Sequence, residues 1–197
     1  GLFLSDEYGN ARVLPQSYKN LNKIKSMDGI IVFPGFFGYS LSGEVVTFPR
    51  GGSDITGSIL AAALEVEVYE NFTDVDSVFV ASPKIVKNPK PIKTLTYREM
   101  RELAYAGFSV LQEETLEPVY QRGIPVNIKN TNNPSSSGTM ITPTRDNLEY
   151  PLAGIAGDKG FCSININKYM MNREVGFGRK VLQILEEEFV PFEHMPS

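Results

Sequence analysis

Apolar positions along the chain fall into short runs separated by Gly, Pro and Asn, and their spacing alternates between strand-like and helix-like. Gly29 to Phe33 (GIIVF) is a continuous apolar run, the pattern of a strand buried on both faces, and Pro34-Gly35-Phe36-Phe37-Gly38 stops it. Val45 to Phe48 is a β-type run ended by Pro49. From Ser53 to Leu64 small and apolar residues continue without a break, as in a buried helix. Glu65 to Asn71 (EVEVYEN) then alternates apolar and polar. The order strand, helix, strand predicts a βαβ unit in a mostly parallel sheet.

Thr96-Tyr97-Arg98-Glu99 is a capping-box pattern; Met100, Leu103 and Ala104 continue at helical spacing, and Gly107 stops the helix. A second helix is expected over Glu113 to Gln121, ended by Gly123. Ile124 to Ile128 reads as a strand, Asn130 to Gly138 as a turn-forming loop, and Thr139 to Ile141 as a short closing strand. Thr142 to Tyr150 is polar and irregular, a linker pattern. Beyond it Ala153 to Asn167 alternates as a strand, with Cys162, Ile164 and Ile166 on one face. Phe177, Val181, Leu182, Ile184 and Leu185 form a helical stripe, and Phe189 to Phe192 reads as the start of another strand. A lone strand–helix–strand unit buries little, so this segment is expected to be incomplete or completed by a partner.

Composition narrows the function classes. A hydrophobic fraction of 42% and a charged fraction of 21% suit a globular protein with a sizeable core. No apolar run approaches the roughly 20 residues of a bilayer span, and the start turns acidic at Asp6-Glu7, unlike a secretory signal. A cytoplasmic protein without membrane contact is expected; the missing initiator Met suggests a fragment or processed chain. The net charge of −4 argues against a nucleic-acid partner. One Cys and one His exclude an internal disulfide and weaken metal clusters and His-based triads. Chemistry therefore falls to carboxylates, Lys, Arg, hydroxyls and backbone amides. No Gly-Lys-Ser/Thr triplet marks a phosphate loop, and Gly176-Phe177-Gly178 lacks the third glycine of a dinucleotide turn.

Arg50-Gly51-Gly52-Ser53-Asp54 opens the apolar helix. Ser53 suits an N-cap and Asp54 a first helical turn. Arg50 and two adjacent bare backbone positions also suit a site for a carboxylate or phosphate, so both readings stay open. Phe72-Thr73-Asp74-Val75-Asp76 follows a strand, where it suits either an Asx-type turn or Mg-nucleotide contacts. Lys84 is a surface or phosphate-contacting lysine, Asn132-Asn133-Pro134 a turn, Cys162 a core residue and His194 a surface one.

Together, RGGSD before an alanine-rich helix, FTDVDSVF with SPK behind it, YREMRELAYAGFSVL, and NIKNTNNPSSSGTMI resemble the aspartokinases. The resemblance implies an α/β fold: residues 1–141 as the carboxyl-terminal part of a three-layer αβα amino-acid-kinase domain, and residues 142–150 as a linker. Residues 151–197 would start a truncated α+β ferredoxin-like ACT regulatory domain. It implies phosphorylation of L-aspartate by ATP with Mg2+ to 4-phospho-L-aspartate, the opening step of lysine, threonine and methionine biosynthesis. Arg50, Ser53, Phe36, Gly51 and Gly52 match aspartate-binding positions, and Asp54 a catalytic carboxylate that orients a lysine. Thr73, Asp74, Phe79 and Lys84 match nucleotide-binding positions, with Asp76 nearby. Met171, Glu174, Gly176 and Glu193 match the region that binds an allosteric lysine or threonine, in a homodimer or higher oligomer formed through ACT domains. No residue is matched to a metal-ligand role.

Departures accompany the match. Ser82 stands where many members carry Asp, Phe79 where many carry Tyr, and Gly107 to Gln112 lacks the usual nucleotide-contacting Lys and a His, so Ser109 and Gln112 take neither role. Nothing before Gly29 resembles the Lys-bearing amino-terminal loop, so the chain is expected to be a fragment inactive by itself. The alternatives are a non-catalytic amino-acid-sensing module or a relative acting on glutamate, acetylglutamate or UMP.

Overall fold

Four strands build the main sheet of the computed structural model, which describes residues 1–108, 110–146, 151–157 and 159–195. They are β3 (Tyr69–Thr73), β4 (Thr94–Thr96), β5 (Val126–Asn130) and β6 (Thr139–Thr142), in the order β3-β5-β6-β4. β3 runs parallel to β5 and β4 parallel to β6, while β5 and β6 are antiparallel. A separate antiparallel pair, β1 (Phe37–Tyr39) and β2 (Val45–Thr47), lies earlier in the chain. The helices are α1 (Pro15–Leu21), α2 (Gly52–Leu64), α3 (Tyr97–Tyr105), α4 (Glu113–Arg122) and α5 (Phe177–Glu187). The chain divides into two units, residues 1–158 and 159–197.

Register explains the main core. Tyr69 pairs with Val126, Asn71 with Ile128, Val126 with Ile141, and Leu95 with Ile141, so these side chains share one sheet face. That face is covered by Ala61 of α2, Met100 and Leu103 of α3, and Leu116 and Val119 of α4. The other face carries Glu70, Phe72 and Lys129, with the Lys129 ammonium 5.5 Å from the centre of the half-exposed Phe72 ring. A second cluster joins Leu2, Leu4, Leu21, Val46 and Phe48 to Ile55, Ile59 and Ala63, so α2 is apolar on two sides because it serves two cores.

Local signals hold where their partners are close in sequence. Thr96 accepts from the Glu99 amide and Glu99 accepts from the Thr96 amide, the complete capping box of α3. Gly123 closes α4 at φ 65°.

Three expectations are corrected here. Gly29 to Phe33 is not a strand: it pairs with nothing among the described residues, and Ile30 and Val32 are 99% and 90% exposed. The expected βαβ unit is absent with it; α2 is preceded by β2, which belongs to the other sheet. The strand expected at Glu65 to Asn71 is β3, which starts at Tyr69, because Glu65 ends α2 in the left-handed region (φ 55°) and the chain must turn before it extends. The sheet keeps its expected parallel pairs, β3 with β5 and β4 with β6, and the Asn130–Gly138 connection adds one antiparallel pair, β5 with β6, between them.

The last correction concerns the segment from Ala153 onward, which spans the end of the first unit and the second unit. Neither Ala153 to Asn167 nor Phe189 to Phe192 forms a strand among the described residues. Ala153 and Ala156 instead pack on the main core, and the Ile155 amide donates to the Val80 carbonyl at 2.7 Å. Cys162 is exposed, with Ile164 and Ile166 67% and 42% exposed, so the shared face has no core beneath it. Alternation marks a strand only when a neighbouring strand takes its hydrogen bonds. α5 forms as expected, yet none of its residues is buried.

Candidate active site

α2 is entered through Gly51, whose φ of 83° lies in the left-handed region. A Cβ there would come within 2.7 Å of the Gln112 Cγ. At Gly52 a Cβ would meet the Phe48 Cβ at 2.6 Å and the Phe36 Cδ2 at 2.9 Å. The two glycines thus have different reasons: backbone conformation together with the Gln112 approach at the first, close packing at the second. Gly51 is also the N-cap, so Ser53 does not cap the helix as expected. Ser53 stands one position inside the helix, exposed, and its hydroxyl makes no hydrogen bond among the described residues. Asp54 does occupy the first turn.

Phe36 faces this helix end in an unusual conformation. Its φ is 77°, rare for a bulky residue, and it is held from both sides. Its amide donates to the Thr56 hydroxyl at 3.1 Å, and its carbonyl accepts from the Phe48 amide at 3.0 Å. Thr56 donates in turn to the Gly52 carbonyl at 2.8 Å. Gly35 lies against Ser53, since an added Cβ would sit 3.3 Å from the Ser53 Cα. Arg50, just before the helix, is exposed and has no ion-pair partner among the described residues.

Asp54 ties the helix to β3. Its Oδ1 accepts from the Asn71 Nδ2 at 2.9 Å, and its carbonyl accepts from the Tyr69 hydroxyl at 3.1 Å. The Asn71 Nδ2 also donates to the Tyr69 hydroxyl oxygen at 3.0 Å. Burial pushes the Tyr69 phenol up to about 12, which keeps it protonated as a donor. Tyr69, Asn71 and Thr73 alternate onto the same face of β3, so the Asp54 carboxylate is bonded one step short of Thr73 at the strand's carboxyl end. Asn71 and Tyr69 were not singled out in the sequence; a polar residue inside a strand pattern signals solvent, and Asp54 lies 17 residues away.

Beyond Thr73, the Thr73 hydroxyl donates to the Asp74 Oδ1 at 3.2 Å, and Asp74 is exposed. The Asp76 Oδ1 accepts from the Asn130 Nδ2 at 2.8 Å and the Asn133 Nδ2 at 3.4 Å, which pins this loop to the β5–β6 turn. Phe79 forms an isolated bridge with Pro91, and Lys84 is exposed in the following turn. Among the described residues neither bonds to the Asp54–Asn71 group. Ser109 lies outside the described residues; Gln112 caps α4 by position and lies against Gly51.

In the second unit, Met171 opens a short 3₁₀ turn and Gly176 (φ 79°) precedes α5. Glu174 accepts from Lys168 and from Lys180, the latter at 2.6 Å, and those hydrogen bonds bring its carboxyl down to about 2. Glu193 is exposed further along.

Residues 2–130 match the amino acid kinase family. The chain belongs to that family. It is 61% identical to Aspartokinase 3 of Bacillus subtilis over 197 residues, all of this chain and 43% of that protein. Among solved structures, the aspartate kinase of Clostridium acetobutylicum superposes with a TM-score of 0.81 at 48% identity, covering 92% of this chain and 42% of that one. Escherichia coli aspartokinase III in complex with aspartate and ADP superposes with a TM-score of 0.69 at 29% identity, covering 74% of this chain and 34% of that one. The chain thus spans less than half the length of these relatives. Its mixed α/β sheet is that of the amino acid kinase fold. Among the described residues no helix is long and apolar enough to cross a membrane.

Proposed function

We propose that this amino acid kinase chain is part of a cytoplasmic aspartate kinase, which transfers the γ-phosphoryl group of ATP to the side-chain carboxylate of L-aspartate. One observation carries the reading: α2 presents Arg50, Ser53 and Asp54 at the end of the sheet where β3 delivers Thr73 and Asp74, and the Asp54–Asn71 hydrogen bond joins the two groups. Similarity to aspartokinases along the whole chain supports it.

Arg50 binds a substrate carboxylate through its guanidinium fork, Ser53 and the Gly51 and Gly52 amides complete the cradle, and the Phe36 ring walls it. Thr73 and Asp74, with Phe79 and Lys84 on the following loop, hold the nucleotide. A side-chain oxygen of aspartate attacks the γ-phosphorus, and the bond to the β,γ-bridging oxygen breaks to release ADP. The attacking carboxylate is already ionised at neutral pH, so no side chain removes a proton and the paucity of His is no obstacle. The task left to Asp54 is to orient a cationic group against the transferring phosphate.

Among the described residues no three His, Cys, Asp or Glu side chains converge to build a metal cage. Nucleotide oxygens, aided by the exposed Asp74, fit Mg2+ better, since that ion keeps few protein ligands. When bound it neutralises phosphate charge. Lysine or threonine is the proposed allosteric ligand, bound near Met171, Glu174, Gly176 and Glu193 in an ACT-type domain that pairs with a second copy. There Lys168 and Lys180 must release Glu174 before it can meet a ligand ammonium.

Steady-state kinetics of the full-length enzyme test the assignment. Phosphorylation of aspartate, and not of glutamate, acetylglutamate or UMP, is expected. Arg50→Ala should raise the aspartate KM by about tenfold or more with a much smaller change in the ATP KM. Equal effects on both would move Arg50 out of the aspartate site.

A further inference from the structure

We infer that Asn71 is a positioning residue of phosphoryl transfer: it fixes one oxygen of the Asp54 carboxylate and leaves the other for the reaction. The inference rests on the kinase reading above and assigns a task to a residue outside the matched set.

Asn71 sits in the middle of β3, 5% exposed, on the face that looks toward α2. Its Nδ2 donates to the Asp54 Oδ1 at 2.9 Å and to the Tyr69 hydroxyl oxygen at 3.0 Å, and Tyr69 donates to the Asp54 carbonyl at 3.1 Å. Chemistry fixes the amide orientation. With Asn71 turned over, its Oδ1 would face the Asp54 carboxylate, two acceptors in contact with no proton between them. The Tyr69 hydroxyl spends its proton on the Asp54 carbonyl, so it can only accept from Asn71. All three contacts therefore run in one direction, and together they hold both the backbone and the side chain of Asp54.

The consequence falls on the second carboxylate oxygen. The Asp54 Oδ2 lies on the Gly51 side, 4.0 Å from where a Gly51 Cβ would be, toward the bare helix opening beside Arg50. A carboxylate free to rotate would present either oxygen and spread its charge over both orientations. Pinned at Oδ1, it presents Oδ2 alone, in one direction, before substrate arrives. Tyr69 is itself seated, since a Cβ at Gly57 of α2 would come within 2.5 Å of its hydroxyl oxygen. The distance from α2 to β3 is thus set by the same side chain that orders the Asn71 amide.

The test uses the full-length enzyme. Asn71→Leu keeps the γ-branched shape and removes the donor; Asn71→Ala is made beside it in case the larger leucine side chain disturbs β3. With folding checked by circular dichroism and thermal denaturation, kcat should fall about 10- to 100-fold while the aspartate and ATP KM values stay within about threefold. In an Asp54→Asn background the same Asn71 substitution should cost less than about threefold more, because a residue acting through Asp54 has nothing left to orient. A kcat within twofold of wild type in either folded variant, or full additivity with Asp54→Asn, overturns the inference. Failure of the wild-type enzyme to phosphorylate aspartate removes the kinase reading and the inference together; an active wild type with an unaffected Asn71 variant removes the inference alone.

Discussion

α2 and α5 start the same way and end up in opposite circumstances. Each follows a glycine in the left-handed region, Gly51 at φ 83°, ψ 10° and Gly176 at φ 79°, ψ 14°, and neither has a side-chain cap. Around Gly51 and Gly52, Gln112, Phe36 and Phe48 leave no room for a methyl group; around Gly176 an added Cβ meets nothing within 4 Å. α2 buries residues against two clusters, whereas α5 buries none. Local backbone chemistry is enough to start a helix. Only long-range packing turns that start into a shaped surface.

Removing apolar bulk should separate the two regions most widely. Met100→Ala, at a fully buried position in the main core, should cost about 2–5 kcal/mol in urea unfolding of the 197-residue chain. Ile184→Ala, at 60% exposure on α5, should stay within about 0.5 kcal/mol. A large loss at Ile184 in the full-length protein would show that the stripe has a partner there.

Methyl groups at the helix starts probe the same contrast on a smaller scale. Gly52→Ala should cost about 1–3 kcal/mol by overpacking against Phe48 and Phe36. Gly176→Ala should cost only the left-handed backbone strain, about 1 kcal/mol. Equal losses in thermal or urea unfolding would mean that packing contributes nothing specific at α2.

The smallest effect separates two carboxylates that are both brought down to about 2. Glu99 is held chiefly by Arg145, whose guanidinium reaches it at 2.6 and 2.7 Å across 46 residues of chain. Glu174 is held by Lys168 and Lys180, within six residues on either side. The folded state keeps Glu99 ionised where the unfolded chain, at its ordinary 4.5, takes up a proton. Its contribution is complete above about pH 4.5 and fades as the pH falls toward 2. Glu99→Gln should lower the urea midpoint at pH 6 and flatten its fall below pH 4.5. Glu174→Gln should change both by less, because solvent screens the exposed Lys168 and Lys180 while the Arg145 side chain is covered; an equal response would place the second ion pair on a par with the first.

What was legible in the chain follows the same division. α3 could be read because Thr96 and Glu99 satisfy each other within one turn, and α4 because Gly123 closes it. Gly29 to Phe33 could not, since an apolar run becomes a strand only with neighbours to receive its hydrogen bonds. The RGGSD stretch announced a helix start and a charged opening. It did not reveal Gly51 as the cap, and a buried asparagine on β3 gave no sign that it would order Asp54. Arg145 looked like linker polarity, and instead its side chain is 5% exposed, clamped to the first turn of α3.

Phe36 sets a limit on how far this region can be improved. Glycine would relax its backbone but delete the ring that lies over Gly52; alanine would delete the ring and keep the strain. Stability and the shape of the helix opening therefore trade against each other at one position, and sequence drift there can gain in one only by losing in the other.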